Sequence, residues 1–191
     1  MTIAEWDQRY RNGERGEERE PAPLVRKFVD GLHPGRALDL ACGGGRHSLY
    51  LAKLGWAVTA VDGSPAALEI LERRAEEAGV PVRAVLSDLE QDNSVIQPAA
   101  FDLVLVCYYL QRSLFPAIQR AIRPAGMVIA IVHIPEEGEE PNEKCAAPGE
   151  LRELFAGFHT LHNYQGPPND AEHRRPVAEI VATQTAIPPA W

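Results

Sequence analysis

Three cysteines in 191 residues, Cys42, Cys107 and Cys145, are too few and too scattered for a disulfide framework. None belongs to a CxxC pair and no HxxxH-type cluster accompanies them, so no zinc or other metal site is expected. Isolated thiols suit a reducing compartment, and a cytoplasmic location is the expectation. Long apolar runs are missing as well. Nothing approaches the ~20 residues needed to cross a bilayer, and "MTIAEWDQRYRNGERGEERE" is too charged for a secretory signal. Positive charge is also short: 19 Lys and Arg stand against 27 Asp and Glu, a formal net charge of −8. That balance argues against the basic face required for non-specific binding to nucleic acid or an anionic membrane, though it leaves room for a local basic pocket. Internal repeats are absent. The length fits one domain spanning residues 1–191, and nothing in the sequence fixes an oligomeric state.

What is present is an alternation. The runs "ALDLA" (37–41), "AVTAV" (57–61), "VRAVL" (82–86), "FDLVLV" (101–106) and "MVIAIV" (127–132) read as strands, and helical stretches are expected at 46–54, 65–77 and 113–122. Most of the strands are apolar nearly throughout, as in parallel sheets covered on both faces. Ser64 and Pro65 make an N-cap followed by proline at the first helical position, and Gly55 and Gly79 stand where helix C-caps fall. The pattern predicts a doubly wound, Rossmann-like α/β sheet. Towards the end "PGELRELFAGF" (148–158) reads as a short helix, whereas "HTLHNYQ" and "VAEIVATQ" are two strands with no helix between them. Such strands must pair antiparallel, so the sheet is expected to finish in an antiparallel hairpin. The stretches 12–20 and 135–144, rich in charge, Gly and Pro, read as solvated loops.

Between the first strand and the first helix lie three consecutive glycines, Gly43 to Gly45. Such a turn lets a ligand approach the backbone, and the helix behind it offers N–H groups and a positive dipole end to an anion. Nineteen residues beyond Gly43, at the end of the second strand, Asp62 can accept both hydroxyls of a ribose. A dinucleotide fits imperfectly: G-x-G-x-x-G would place its last small residue at Ser48, with Arg46 and His47 crowding the helix entry. Asp39, just before the turn, would repel a pyrophosphate but attract an ammonium group. The ligand implied has an adenosine end, a carboxylate and a cationic centre, and S-adenosylmethionine has all three.

At this point the motifs carry a resemblance. "LDLACGGGRHSLYLA" resembles the first motif of class I S-adenosylmethionine-dependent methyltransferases, with Asp39, Gly43 and Gly45 at its key places. "VTAVDGSPAAL" resembles the second motif, ending in the ribose acid Asp62 followed by Gly63 and Ser64. "VLSDLEQ" resembles the third, which implies Asp88 at the adenine amino group and the Leu89 backbone beside it. "FDLVLVCYYL" and "IRPAGMVIA" resemble the fourth strand, ending at Cys107, and the entry to the fifth. "WDQRY", "GRHSLYLA" and "PGELRELFAGFHTLHNY" are similar to the small bacterial tellurite-resistance methyltransferase branch. Ala41 and Ala125 depart from glycines common in that family; alanine is small, and no loss of cofactor binding is expected. The resemblance implies cofactor contacts from Trp6, Tyr10, Asp39, Ala41, Gly43, Gly45, Arg46, Asp62, Gly63, Ser64, Asp88, Leu89 and Cys107. It also implies an N-terminal segment, residues 1–20, that covers the cofactor.

Each of these residues has an alternative. Trp6 and Tyr10, four apart on a helix, could equally be packing residues. Asp39 could cap a turn, Asp88 could be an ordinary Asx turn, and Cys107 could be a small core residue. Candidates on the acceptor side are Tyr108 and Tyr109 at the end of the fourth strand, with His47 and His133 as proton acceptors. No acid–base dyad stands out. Methyl transfer from a sulfonium tolerates that, because the leaving thioether is neutral and alignment supplies most of the catalysis. The reading is methyl transfer from S-adenosylmethionine to a small molecule, a soft chalcogen species or thiol on the branch resemblance, with S-adenosylhomocysteine as product. A nicotinamide-dependent oxidoreductase, a non-catalytic S-adenosylmethionine-binding protein and a macromolecule methyltransferase remain as rivals.

Overall fold

Each of the expected apolar runs becomes a strand. The computed structural model describes residues 2–15 and 20–185, and the chain divides into two units, Met1–Val95 and Ile96–Trp191. Together their strands make a seven-stranded, mostly parallel Rossmann-like sheet flanked by helices.

In the first unit, β1 (Arg36–Leu40), β2 (Ala57–Asp62) and β3 (Val82–Leu86) run parallel in the order β3-β2-β1, with Leu38 beside Thr59 and Ala60 beside Ala84. β1 is buried from its second residue onward, whereas β3, an edge strand, is only half covered. Four helices accompany them: α1 (Ile3–Arg11), α2 (Pro23–Val29), α3 (Arg46–Lys53) and α4 (Pro65–Ala78). The start of α4 is as the sequence predicts: Ser64 Oγ accepts from Ala67 N–H, Pro65 opens the helix, and Gly79 closes it at φ 64°. Gly55 falls one place beyond the C-cap of α3, which is Leu54. Thr2 and Glu5 form a reciprocal capping box on α1. The helix α2 was not anticipated; its "PLVRKFV" is too short to show a full period, and burial of Leu24, Val25 and Val29 secures it. Leu38, Leu40, Leu51 and Leu71 are fully buried, each worth roughly 1.5–3 kcal/mol in transfer from water.

In the second unit, β4 (Phe101–Cys107) pairs parallel with β5 (Ile122–His133). The expected helix over 113–122 is shorter: a 3-10 turn at Arg112–Leu114 leads into α5 (Phe115–Ala121), and Ile122 already belongs to β5. A four-residue helix, α6 (Glu150–Glu153), is all that forms from 148–158. The rest is turn, with Gly157 at φ 93° and Phe155 packed edge-on against Phe115 and Phe158. The expected antiparallel ending is present: β7 (Val177–Thr183) lies between β5 and β6 (His159–Gly166), antiparallel to both. Central β7 is buried almost throughout; edge β6 alternates exposed and half-buried residues. The acidic stretch 135–144 is a solvent-facing loop held by arginines: Arg112 donates to the carbonyls of Asn142, Glu143 and Cys145, and Arg175 pairs with Glu136 and Glu139. Of the other loop, 12–20, residues 16–19 lie outside the described residues.

Among the described residues no helix is long and apolar enough to cross a membrane, and no group of His, Cys, Asp or Glu could hold a metal. Cys42, Cys107 and Cys145 are buried and form no disulfide.

Candidate cofactor site

The turn leaving β1 is built on left-handed backbone. Ala41, Gly43 and Gly45 have φ of 53°, 56° and 80°. Gly43 and Gly45 adopt this without penalty; Ala41, and likewise Ala125 at 65°, costs about 1 kcal/mol. The two departures from the family pattern are therefore positions where glycine would sit unstrained. Neighbours also crowd these positions: a methyl on Gly43 would displace the Tyr10 hydroxyl, and one on Gly45 would collide with the buried Leu71.

Asp62 ties this turn to the next one. Its Oδ2 accepts from Gly43 N–H and its Oδ1 from Ser64 N–H, both at 2.8 Å. Burial raises the Asp62 pKa while these N–H groups oppose the shift. The Gly63 N–H also contributes to holding the charge, and an ionised carboxylate, with about four acceptor positions, keeps capacity beyond these three donors. The N-cap of α3 is Gly45, which has no side chain to cap the helix, while the Ser48 N–H of its first turn meets the Asp39 carboxyl.

The helix α1 lies across these two turns. Ile3, Asp7 and Tyr10 follow the i, i+4, i+7 spacing of one face. Tyr10 sits over Gly43, and Ile3 presses on Gly63 so closely that a Cβ there would lie 2.6 Å from its terminal carbon. Asp7 Oδ1 accepts from Ser64 Oγ at 2.8 Å and from Ala66 N–H at 2.9 Å, capping α4 from another helix. Its other oxygen accepts from Arg11 at 2.7 Å. These bonds, led by that from Ala66, hold the Asp7 carboxyl below its ordinary pKa. Sequence reasoning missed Asp7. The available signal was an acid on the same helical stripe as Ile3 and Tyr10. Trp6, half-buried, lies beneath the guanidinium groups of Arg9 and Arg15, 5.3 and 5.7 Å from its ring centre.

Asp39 is buried and accepts from Ser48 Oγ at 2.6 Å. Burial lifts its pKa to about 7; the Ser48 bond and the charge of Arg46 oppose the rise, and Asp62 adds to it. Arg46 donates to the backbone carbonyl of Glu20, the last residue of the 12–20 stretch, at 3.3 Å. His47 is 4% exposed, and its Nε2 accepts at 3.2 Å from the N–H of Ala22, the N-cap residue of α2. That geometry gives His47 a structural duty. Asp88 folds its own turn, with Oδ1 accepting from Glu90 N–H at 3.0 Å and Oδ2 from Gln91 Nε2 at 2.7 Å, while Leu89 is buried.

The remaining candidates belong to the second unit. Cys107 ends β4, buried. Tyr108 and Tyr109 follow it, half-buried. The Tyr108 hydroxyl donates to Asp170, and its ring stacks on His173, neither of which the sequence pattern singled out. His133 ends β5 with its pKa lowered, chiefly by burial.

Residues 37–126 match the family of methyltransferase domains. Through these residues the chain is similar to methyltransferases of the class I, S-adenosylmethionine-dependent kind. In structure it resembles TehB from Haemophilus influenzae, with a TM-score of 0.73, 20% identity, and coverage of 86% of this chain and 63% of that one. It also resembles a protein solved in work on conversion of a disulfide bond into a thioacetal group during echinomycin biosynthesis: TM-score 0.75, 20% identity, 99% and 94% covered. A third likeness is the 1,6-didemethyltoxoflavin-N1-methyltransferase of Burkholderia thailandensis with bound S-adenosylhomocysteine: TM-score 0.70, 21% identity, 96% and 87% covered. At these identities the likeness is one of fold. Curated relatives include hemagglutinin 1 of Eikenella corrodens, 30% identical over 72% of this chain and 48% of that protein. The uncharacterized methyltransferase YodH of Bacillus subtilis is 30% identical over 65% of this chain and 52% of that protein. The chain thus spans about half the length of the curated relatives it matches.

Proposed function

We propose that the chain, working as one methyltransferase domain over residues 1–191, moves a methyl group from S-adenosylmethionine to a small-molecule acceptor. The observation that carries this reading is the Asp62 tie between the Gly43 and Ser64 turns. It fixes a carboxylate with spare acceptor capacity beside a glycine turn and the start of a helix whose N-cap residue is Gly45. Those features fit a ribose diol and an amino-acid carboxylate, and an ammonium group beside Asp39 would favour its ionised form and so gain the matching negative charge. The bound group would supply an electrophilic methyl on sulfur. Asp62 would hold the ribose, Asp39 and the start of α3 the amino-acid end, the Asp88–Leu89 turn the adenine, and α1 would exclude water.

The acceptor we favour is a soft chalcogen nucleophile, a thiol or a reduced selenium or tellurium species. Such an atom is nucleophilic without a strong base, which suits a chain where His47 is committed to Ala22 and burial lowers the pKa of His133. For its location we propose the cytoplasm, a reducing setting that three buried thiols with no disulfide suit.

The test is S-adenosylhomocysteine release with a thiol, a selenium oxyanion plus reductant, a phenol and an amine. Turnover of the soft acceptors is expected, with His47→Ala and His133→Ala each costing less than about tenfold. Turnover of only the phenol or amine, with one histidine worth ~10²–10⁴, refutes the soft-nucleophile reading and leaves methyl transfer standing. Binding of S-adenosylhomocysteine with no turnover of any acceptor favours the non-catalytic rival.

A further inference from the structure

Four side chains from three segments of the second unit meet near the carboxyl ends of β4 and β5. Tyr108 follows β4 at φ 62°, a left-handed conformation that a bulky residue keeps only where its surroundings over-determine it. Its N–H donates to Ile131 O at 2.6 Å, and its hydroxyl donates to Asp170 Oδ2 at 2.7 Å. Asp170, only 7% exposed, is set by a turn in which Glu172 N–H donates to its Oδ1 and His173 N–H to its carbonyl. That turn lays the His173 ring flat on Tyr108, centroids 3.5 Å apart and planes within 4°. His133 tilts against both, at 5.6 and 5.4 Å. The β6–β7 ladder ends at Gly166 and Val177, so joining the strands does not require a connection of this length. The loop bends back and pins a strained tyrosine, which is the kind of device found where function needs a fixed side chain.

We propose that Tyr108 is a wall of the acceptor site and that Asp170 and His173 are the residues that position it. Open α/β sheets take ligands beyond the carboxyl ends of their strands, where Tyr108 stands. Tyr108, His173 and His133 remain half-exposed, so the three rings offer an aromatic surface to an incoming atom. Polarizable sulfur or selenium packs well on such rings, about 5 Å from the ring, so the class of acceptor is a small thiol or selenol. This rests on the methyl-transfer reading. The transfer balances within that class: the chalcogen–carbon bond forms as the sulfonium–methyl bond breaks, and the thiol proton leaves to solvent.

The experiment uses wild type, Tyr108→Phe, Asp170→Ala, Asp170→Asn and the double variant Tyr108→Phe/Asp170→Ala, with 2-mercaptoethanol and benzeneselenol as probes. S-adenosylhomocysteine affinity, by calorimetry, should stay within about twofold of wild type in all of them. KM for the thiol should rise about tenfold in Asp170→Ala and in Tyr108→Phe, with kcat changed less, because each removes the same hydrogen bond. The double variant should be no worse than either single one. Asp170→Asn, which still offers an oxygen to the hydroxyl, should recover most of the loss. In wild type saturated with S-adenosylhomocysteine, the His173 ring proton resonance should shift as the thiol is titrated. Protein that binds S-adenosylhomocysteine but shows no His173 shift, or whose variants keep wild-type KM, overturns the inference alone. Failure to bind S-adenosylhomocysteine overturns the methyl-transfer reading and this inference with it.

Discussion

Replacing Asp62 by alanine separates its two duties. In the protein by itself, Asp62→Ala removes the acceptor of two backbone N–H groups, Gly43 and Ser64, each held at 2.8 Å. A hydrogen bond to a charged group contributes about 1.5–3 kcal/mol, but here burial already disfavours the charge, so the loss of stability should be nearer 1–3 kcal/mol in total. On the proposed assignment the variant would also lose two charge-assisted bonds to the ribose hydroxyls, and affinity should weaken by roughly 2–4 kcal/mol, or about 30- to 900-fold. Asp62→Asn keeps an acceptor oxygen and should fall between the two. Calorimetric titration with S-adenosylhomocysteine measures the binding term, and urea unfolding without ligand measures the other. A folded Asp62→Ala protein that binds with wild-type affinity would refute the assignment of this carboxylate to the ribose.

Two further perturbations probe the surroundings of the site. Asp7→Ala removes the bonds from Ser64 and Ala66 that hold α1 on α4; hydrogen exchange over residues 4–12 should quicken, and S-adenosylhomocysteine should dissociate faster. Adding S-adenosylhomocysteine to wild type should slow that exchange, and equal exchange with and without it would leave Trp6 and Tyr10 as packing residues. Asp39, with a pKa of about 7 against an ordinary 3.8, stabilises the fold while protonated. Its contribution is complete below about pH 4 and is lost as pH rises through 7, by up to about 4 kcal/mol. Asp39→Asn should therefore gain stability relative to wild type between about pH 4 and pH 8; parallel urea stabilities of the two proteins across that range would contradict the burial argument.

Local order decided what could be read from the residues. Strand periodicity, the Ser64–Pro65 helix start, the glycine turn and the acid nineteen places beyond Gly43 all arise within one β-α-β passage, where spacing along the chain fixes spacing in space. The antiparallel ending was legible for the same reason, since two strands without a crossover helix have one way to pair. Tertiary packing decided the rest. It stabilised α2, too short to announce itself, and let Ile122 join β5 instead of the helix before it. It buried His47 against Ala22, which no pattern around residue 47 could reveal. Asp7 meets Ser64 across 57 residues and Tyr108 meets Asp170 across 62. A polar side chain's partner at that separation depends on how whole segments pack, because a hydrogen bond needs placement to a few tenths of an ångström and the sequence specifies such placement only after the core has closed.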